Sequence, residues 1–192
     1  YTVTVFADPD TSVTTSGSLD FCPGGSVTLT AASGQSYLWN TGDTTQSVNS
    51  NTSGTYSAVV TTVNGCVSNT SVYTTTSFSQ PDTSVSINGS LDFCSGGSVT
   101  LTASSNQAYL WNTGATTQSI TTNTSGIYSA VVSTANGCVG NTPSYSTTLF
   151  ADPDTSVTAS GPLDFCDGGA VTFTAASGQS YLWNTGDTTQ SI

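Results

Sequence analysis

The sequence returns on itself every 72 residues, and this repetition limits what the chain can fold into more than any other feature. Tyr1, Tyr73 and Tyr145 open three copies. Cys22, Cys94 and Cys166 keep the step, as do Trp39, Trp111 and Trp183, and Cys66 recurs as Cys138. Over their first 48 positions, copies one and three agree at 39 and copies one and two at 35. Such near-identity reads as recent duplication of one module within a longer array. The period is longer than the roughly 20–50 residues of solenoid repeats and suits one small domain per copy. The expected bodies are 8–79, 80–151 and 152–192, the last incomplete. Residues 1–7 are expected to be the last strand of a preceding repeat.

A domain of this size buries proportionally little surface, so a covalent staple is expected. The pairs Cys22–Cys66 and Cys94–Cys138 each span 44 residues, and closing such a loop is worth about 4 kcal/mol in the chain-entropy model. The alternative Cys66–Cys94 pairing would orphan Cys22 and Cys138. Cys166 is expected to pair outside the chain, or with another molecule. One bridge per copy implies an oxidising compartment.

Composition excludes whole classes of function. The chain has 11 Asp and no Glu, Lys, Arg, His or Met, giving a formal charge of −11. Nucleic-acid binding depends on cations that neutralise phosphates, and anionic membranes repel the same charge. Without His or Lys, no Ser–His or Cys–His pair exists and general acid–base catalysis has few candidates, so no enzyme is expected. Metal binding by cysteine is disfavoured, because no cysteine pair is close in sequence. No stretch approaches the ~20 apolar residues that span a bilayer, and no signal peptide is visible. The missing Met suggests that the chain begins inside a longer precursor.

Within one copy, short alternating segments lie between turn signals. Thr11 to Thr15 reads as an edge strand. Ser26 to Ala31 places Val27, Leu29 and Ala31 on one face. Tyr37-Leu38-Trp39 and Gln46 to Val48 follow. Thr55 to Thr61 places Tyr56, Ala58 and Val60 on one face. Asn64-Gly65 marks a hairpin, and Cys66 opens a last strand running toward Phe78. Strong helix formers such as Glu, Lys, Arg and Met are absent, while Thr and Val favour strands. About seven short strands with regular turns predict an all-β sandwich.

The run Cys22-Pro23-Gly24-Gly25-Ser26-Val27-Thr28-Leu29-Thr30-Ala31 carries a resemblance, with Tyr37-Leu38-Trp39-Asn40-Thr41-Gly42, Ser53-Gly54-Thr55-Tyr56 and Asn64-Gly65-Cys66. It is similar to the bacterial immunoglobulin-like tandem repeats of large secreted or surface proteins, familiar from Bacteroidota and associated with type IX secretion, adhesion and gliding. The resemblance implies an immunoglobulin-like sandwich, extracellular placement and a spacer or adhesive role. It also implies that Trp39, Trp111 and Trp183 are core residues, and that Tyr56 and Tyr128 resemble a tyrosine corner. Ala58 stands where an antibody-like domain has its second Cys, so the bridge is expected to tie strand ends.

Four features are candidates for more than scaffolding. Asp8, Asp10 and Asp20, which recur as Asp152, Asp154 and Asp164, could supply calcium with clustered carboxylates. Repeat two has Gln80 at the first position, and the alternative is that these are turn residues. No other cofactor is expected. Asn51, Asn69, Asn88 and Asn123 lie in N-glycosylation sequons, and Thr44 and Thr188 follow Asp in a pattern like the O-glycosylation site of Bacteroidota. The Trp and Tyr residues could stack on sugars, but their spacing fits buried positions better, with Tyr37 and Tyr73 the ones to examine. Finally, Tyr73 to Phe78 could pair with another chain as an exposed edge. The copies otherwise differ at small positions, Gly34 against Asn106 and Ser36 against Ala108. The expectation is a glycosylated extracellular fibre or stalk whose partners are copies of itself. The alternatives are an adhesin whose repeats bind glycan or protein ligands, or a spacer of a larger secreted enzyme. The absence of Lys and Arg also denies trypsin-like proteases a site.

Overall fold

The computed structural model describes residues 1–105 and 107–192, so Asn106 lies outside the described residues. Among the described residues all regular structure is β. Copy one forms β1 (Val13–Thr15), β2 (Asp20–Phe21), β3 (Val27–Ala31), β4 (Ser36–Trp39), β5 (Ser47–Ser50), β6 (Gly54–Tyr56), β7 (Ala58–Thr61), β8 (Val67–Asn69) and β9 (Tyr73–Ser77). Copy two repeats them as β10 (Val85–Asn88), β11 (Asp92–Cys94), β12 (Val99–Ala103), β13 (Ala108–Trp111), β14 (Ser119–Thr122), β15 (Gly126–Tyr128), β16 (Ala130–Ser133), β17 (Val139–Asn141) and β18 (Tyr145–Phe150). Copy three contributes β19 (Val157–Ala159) and β20 (Phe173–Ala175), paired antiparallel.

The Cα packing divides the chain into two compact units. The first is Tyr1–Asn88, Thr100–Thr121 and Ile127–Tyr145; the second is Gly89–Val99, Thr122–Gly126 and Ser146–Ile192. In the first unit, copy one makes three small sheets with strand orders β1-β3-β5, β4-β7-β8 and β2-β9-β6. The strict alternation of β3 sends Val27, Leu29 and Ala31 inward, all buried. Trp39, Val48, Tyr56, Ala58 and Val60 complete the core, with Val13, Leu19, Tyr37 and Tyr73 packed at its edge. Together these small sheets close around one apolar core as an all-β sandwich. Leu101, Ala103, Trp111, Ala130 and Val132 repeat the buried set in copy two. In the second unit β11 runs parallel to β18, with Asp92 opposite Thr148 and Phe93 opposite Leu149.

Two expected strands are each broken in two, which raises the number per full copy from about seven to nine. Thr55 to Thr61 is interrupted at Ser57, whose N–H donates to Asn40 Oδ1 (3.0 Å) while its carbonyl accepts from Asn40 N–H (2.9 Å). Diverted onto the Asn40 side chain, the backbone leaves β9, the partner of β6, and joins β4 and β8 as β7. The segment from Cys66 toward Phe78 breaks at Thr70. The Thr70 hydroxyl accepts the Ala58 N–H (2.9 Å) in place of a ladder carbonyl and donates to Ser71 O (3.1 Å). The chain then crosses to the other side of the sandwich as β9.

A buried hydroxyl pair holds that crossing. Thr75 donates to Thr52 O (2.8 Å) and lies 3.0 Å from Ser50 Oγ, with both residues about 1 % exposed. Thr147 repeats the arrangement in the second unit, donating to Thr124 O (2.7 Å). Thr75→Val keeps the shape and removes the Thr75 hydroxyl, leaving the Ser50 hydroxyl and the Thr52 carbonyl bonded to each other at 2.9 Å. It is expected to cost about 0.5–1.5 kcal/mol, the net worth of the lost hydrogen bond, measured by urea denaturation. A loss below about 0.5 kcal/mol would show that the pair contributes little.

The registers set which ends of the sandwich meet. β3 reaches Ala31 opposite Val13, where copy one begins. β4 starts from that same end, with Ser36 opposite Thr61, so the β7–β8 hairpin tip, Thr62 to Cys66, sits at this incoming end. Cys22 follows β2, which runs parallel to β9 with Phe21 opposite Ser77. It therefore lies at the outgoing end, where the chain leaves for copy two. The five residues of β3 separate the two ends by roughly 17 Å.

Candidate functional site: the bridge between copies

Cys22 is bonded to Cys138, 116 residues away, with a Cα–Cα distance of 5.4 Å. The expected pairs Cys22–Cys66 and Cys94–Cys138 do not form, and Cys66, Cys94 and Cys166 are thiols. The reason is the polarity just described. Cys22 and Cys66 occupy opposite ends of one sandwich, and a disulfide needs Cα atoms within about 7 Å. Cys138 sits at the tip of the β16–β17 hairpin, the incoming end of copy two, and therefore meets the outgoing end of copy one. The bridge ties strand ends, as expected, but does so between copies.

Local sequence prepares both halves. On the first, Gly25 N–H donates to Cys22 O (2.9 Å), closing a tight turn through Gly24, which has φ +85°. A Cβ on Gly25 would lie 3.0 Å from that carbonyl and 3.1 Å from Phe21 Cβ, so the turn closes on glycine. On the second, Thr134 Oγ1 accepts the Cys138 N–H (3.2 Å), and Thr134 N–H donates to Cys138 O (2.9 Å). Asn64-Gly65 and Asn136-Gly137 make these hairpin tips, with Gly65 at φ +84° and Gly137 at +82°. Cys138 is 1 % exposed, which withholds its sulfur from reductants.

The connector aspartates are turn-makers. Asp10 Oδ1 accepts the Ser12 N–H (2.9 Å), and Gln35 Nε2 donates to Asp10 O (2.7 Å). Asp82 accepts from Ser84 N–H (2.9 Å) and the Ser104 hydroxyl (2.6 Å), while Gln107 donates to its carbonyl (2.7 Å). Asp154 accepts from Ser156 N–H (2.9 Å). Each connector is thereby pinned to the body that follows it. The Asp20 N–H donates to Ser18 Oγ, and Asp8, Asp152 and Asp164 are exposed. Among the described residues no three His, Cys, Asp or Glu are grouped to hold a metal ion, the candidate calcium aspartates included.

These bonds lower the carboxyl pKa values. The Ser12 and Ser156 N–H groups pull Asp10 and Asp154 below the ordinary 3.8, and the Ser104 hydroxyl, followed by the Ser84 N–H, does so for Asp82. Because the folded value is depressed, the stabilisation is complete above 3.8 and is lost as pH falls through the lowered values. Carboxyl NMR titration is expected to place Asp10, Asp82 and Asp154 below 3.8. A midpoint at or above 3.8 would mean that the connector turns are open in solution.

The expected core aromatics of copies one and two are buried, whereas Trp183 of copy three is not fully buried. Trp39 and Trp111 are each 1 % exposed, and their indole N–H groups donate to Thr45 O and Thr117 O (2.9 Å each). Tyr56 and Tyr128 are buried. Tyr37 and Tyr73 are half-buried, with hydroxyls donating to Ala32 O (2.6 Å) and Val13 O (3.3 Å). In copy three, Tyr181 and Trp183 are half-buried along an open cleft of about 700 Å³. In copy one the equivalent Trp39 lies on β4, which β7 flanks with Ala58 opposite it. Thr44, Thr188, Asn51, Asn69, Asn88 and Asn123 are all exposed.

No protein-family model and no curated protein matches the chain. Among solved structures, a calcium-stabilised adhesin with which an Antarctic bacterium binds ice is 19 % identical, with a TM-score of 0.44; the match covers 89 % of this chain and 59 % of that one. The chain thus spans under two thirds of that adhesin structure. A C-terminal intimin fragment in complex with its receptor domain is 16 % identical, with a TM-score of 0.42, covering 78 % and 66 %. Murine CEACAM1b is 13 % identical, with a TM-score of 0.36, covering 69 % and 96 %. These three overlays all have TM-scores below 0.5.

Proposed function

We propose that this is a non-catalytic structural repeat protein of the cell exterior, a surface fibre or extended stalk built from immunoglobulin-like modules of 72 residues, bacterial and of the type IX secretion-associated kind. The Cys22–Cys138 bridge is the observation that supports the reading. A covalent tie between successive copies limits hinge motion at their junction and carries tension past it, which a load-bearing stalk requires. A bridge of this kind also belongs to an oxidising compartment. The modules are the bodies 8–79, 80–151 and 152–192, and their partners are neighbouring modules or further copies of the chain. The exposed Thr44, Thr188, Asn51, Asn69, Asn88 and Asn123 carry glycans.

Electron microscopy of the native secreted material tests this. Regular filaments with an axial repeat in multiples of about 30 Å per module, given strands spanning most of each body, would support the fibre. Flexible strings ending in a distinct head would replace it with an adhesin or a spacer of a secreted enzyme. Intact mass before and after chemical deglycosylation tests the glycans: a mass equal to that of the bare sequence would remove them.

A further inference from the structure

Cys94 and Cys66 are built as the two halves of the bridge that Cys22 and Cys138 have already made. Cys94 ends β11 as Cys22 follows β2, and Gly97 N–H donates to Cys94 O (3.0 Å) as Gly25 does to Cys22. Gly96, at φ +82°, repeats Gly24. Cys66 closes its hairpin as Cys138 does: its N–H donates to Thr62 Oγ1 (3.1 Å), and Thr62 N–H donates to its carbonyl (2.9 Å). Each half therefore has the conformation found in the formed bridge, without a cysteine of its own copy on the same end of the sandwich.

We propose that the bridge is staggered throughout. The first cysteine of each copy, Cys94 and Cys166 included, bonds to the second cysteine of the next copy, and Cys66 bonds to the first cysteine of a preceding one. The chemical partner is another copy of the repeat, from the same polypeptide or from a second molecule. In forming each bond, two thiols give up two protons and two electrons to a disulfide oxidant, which leaves as two thiols. The inference stands on the geometry of the existing bridge and holds whether or not the chain is a fibre.

The test is disulfide mapping of the native protein, alkylated without reduction and digested with pepsin, since no Lys or Arg is present for trypsin. The copies are distinguishable by mass, because Cys22 precedes Pro23, Cys94 precedes Ser95 and Cys166 precedes Asp167. Likewise Val63-Asn64-Gly65-Cys66 differs from Ala135-Asn136-Gly137-Cys138. The expected result is the Cys22 peptide joined to the Cys138 peptide, and the Cys94 peptide joined to a second-cysteine peptide other than that of Cys138, with neither Cys66 nor Cys94 alkylated. Migration as a single chain without reductant would assign the partners to one polypeptide, and a ladder of multiples would assign them to different molecules; either result accompanies a staggered map. Recovery of Cys22–Cys66 or Cys94–Cys138 pairs, of a Cys66–Cys94 pair in material that migrates as a single chain, or full alkylation of Cys66 and Cys94, would overturn the proposal.

Discussion

Replacing Trp39 with alanine is expected to remove about 3–5 kcal/mol of stability, the usual cost of emptying a buried tryptophan site. Trp39 is 1 % exposed and packs within the cluster of Leu29, Ala31, Val48, Tyr56, Ala58 and Val60. Its indole also satisfies the Thr45 carbonyl at 2.9 Å, a bond that closes the Trp39 to Thr45 loop. Because a domain of about 70 residues has only a few kcal/mol in hand, this loss should unfold copy one at room temperature. Trp111→Ala should do the same to copy two. Chemical denaturation followed by tryptophan fluorescence would show the remaining copy unfolding in its own transition. A Trp39→Ala protein with an unchanged denaturation midpoint would mean that the core has been misassigned.

The second large effect is expected from the bridge. Closing a 116-residue loop is worth up to about 5 kcal/mol in the chain-entropy model, the full amount applying where both copies unfold together. Cys22→Ser, Cys138→Ser and the double replacement should be equally destabilising, since each removes one and the same bond. At about 2–4 °C per kcal/mol for a chain of this size, the fall in Tm should approach 10 °C or more. Reduction, which also opens any further staggered bridge, should destabilise at least as much as the variants. If the double replacement instead lowered Tm by the sum of the two single ones, Cys22 and Cys138 would belong to two separate bonds and the within-copy pairing would be the true one. Core burial at Trp39 and Trp111 does not depend on the bridge, so near-ultraviolet circular dichroism below the lowered transition temperature should be nearly unchanged in all three variants.

Much of the module is legible from residue order, because burial and turn chemistry are local. The alternation in Val27, Leu29 and Ala31 is the pattern a half-buried strand requires, and all three are buried. The recurrence of Trp39 and Trp111 marks positions that only a core can use, and Asn64-Gly65 makes a hairpin because Gly65 takes a positive φ. The strand breaks at Ser57 and Thr70 were hidden. They depend on which side chains lie opposite, and Asn40 and Ala58 are distant in sequence from the groups they bind.

The same distinction separates the two readings of the cysteines and of the aspartates. The residue sequence by itself determined a disulfide-bearing all-β repeat without cations, and hence no electrostatic means of holding nucleic acid. Only the tertiary structure decided that Cys22 bonds to Cys138 and that Asp10, Asp82 and Asp154 cap turns. Spacing along the chain reports which residues recur, whereas pairing depends on the direction in which each strand runs. β3 carries the backbone from the end that holds Cys22 to the end that holds Cys66, and a disulfide reaches only across neighbouring Cα atoms.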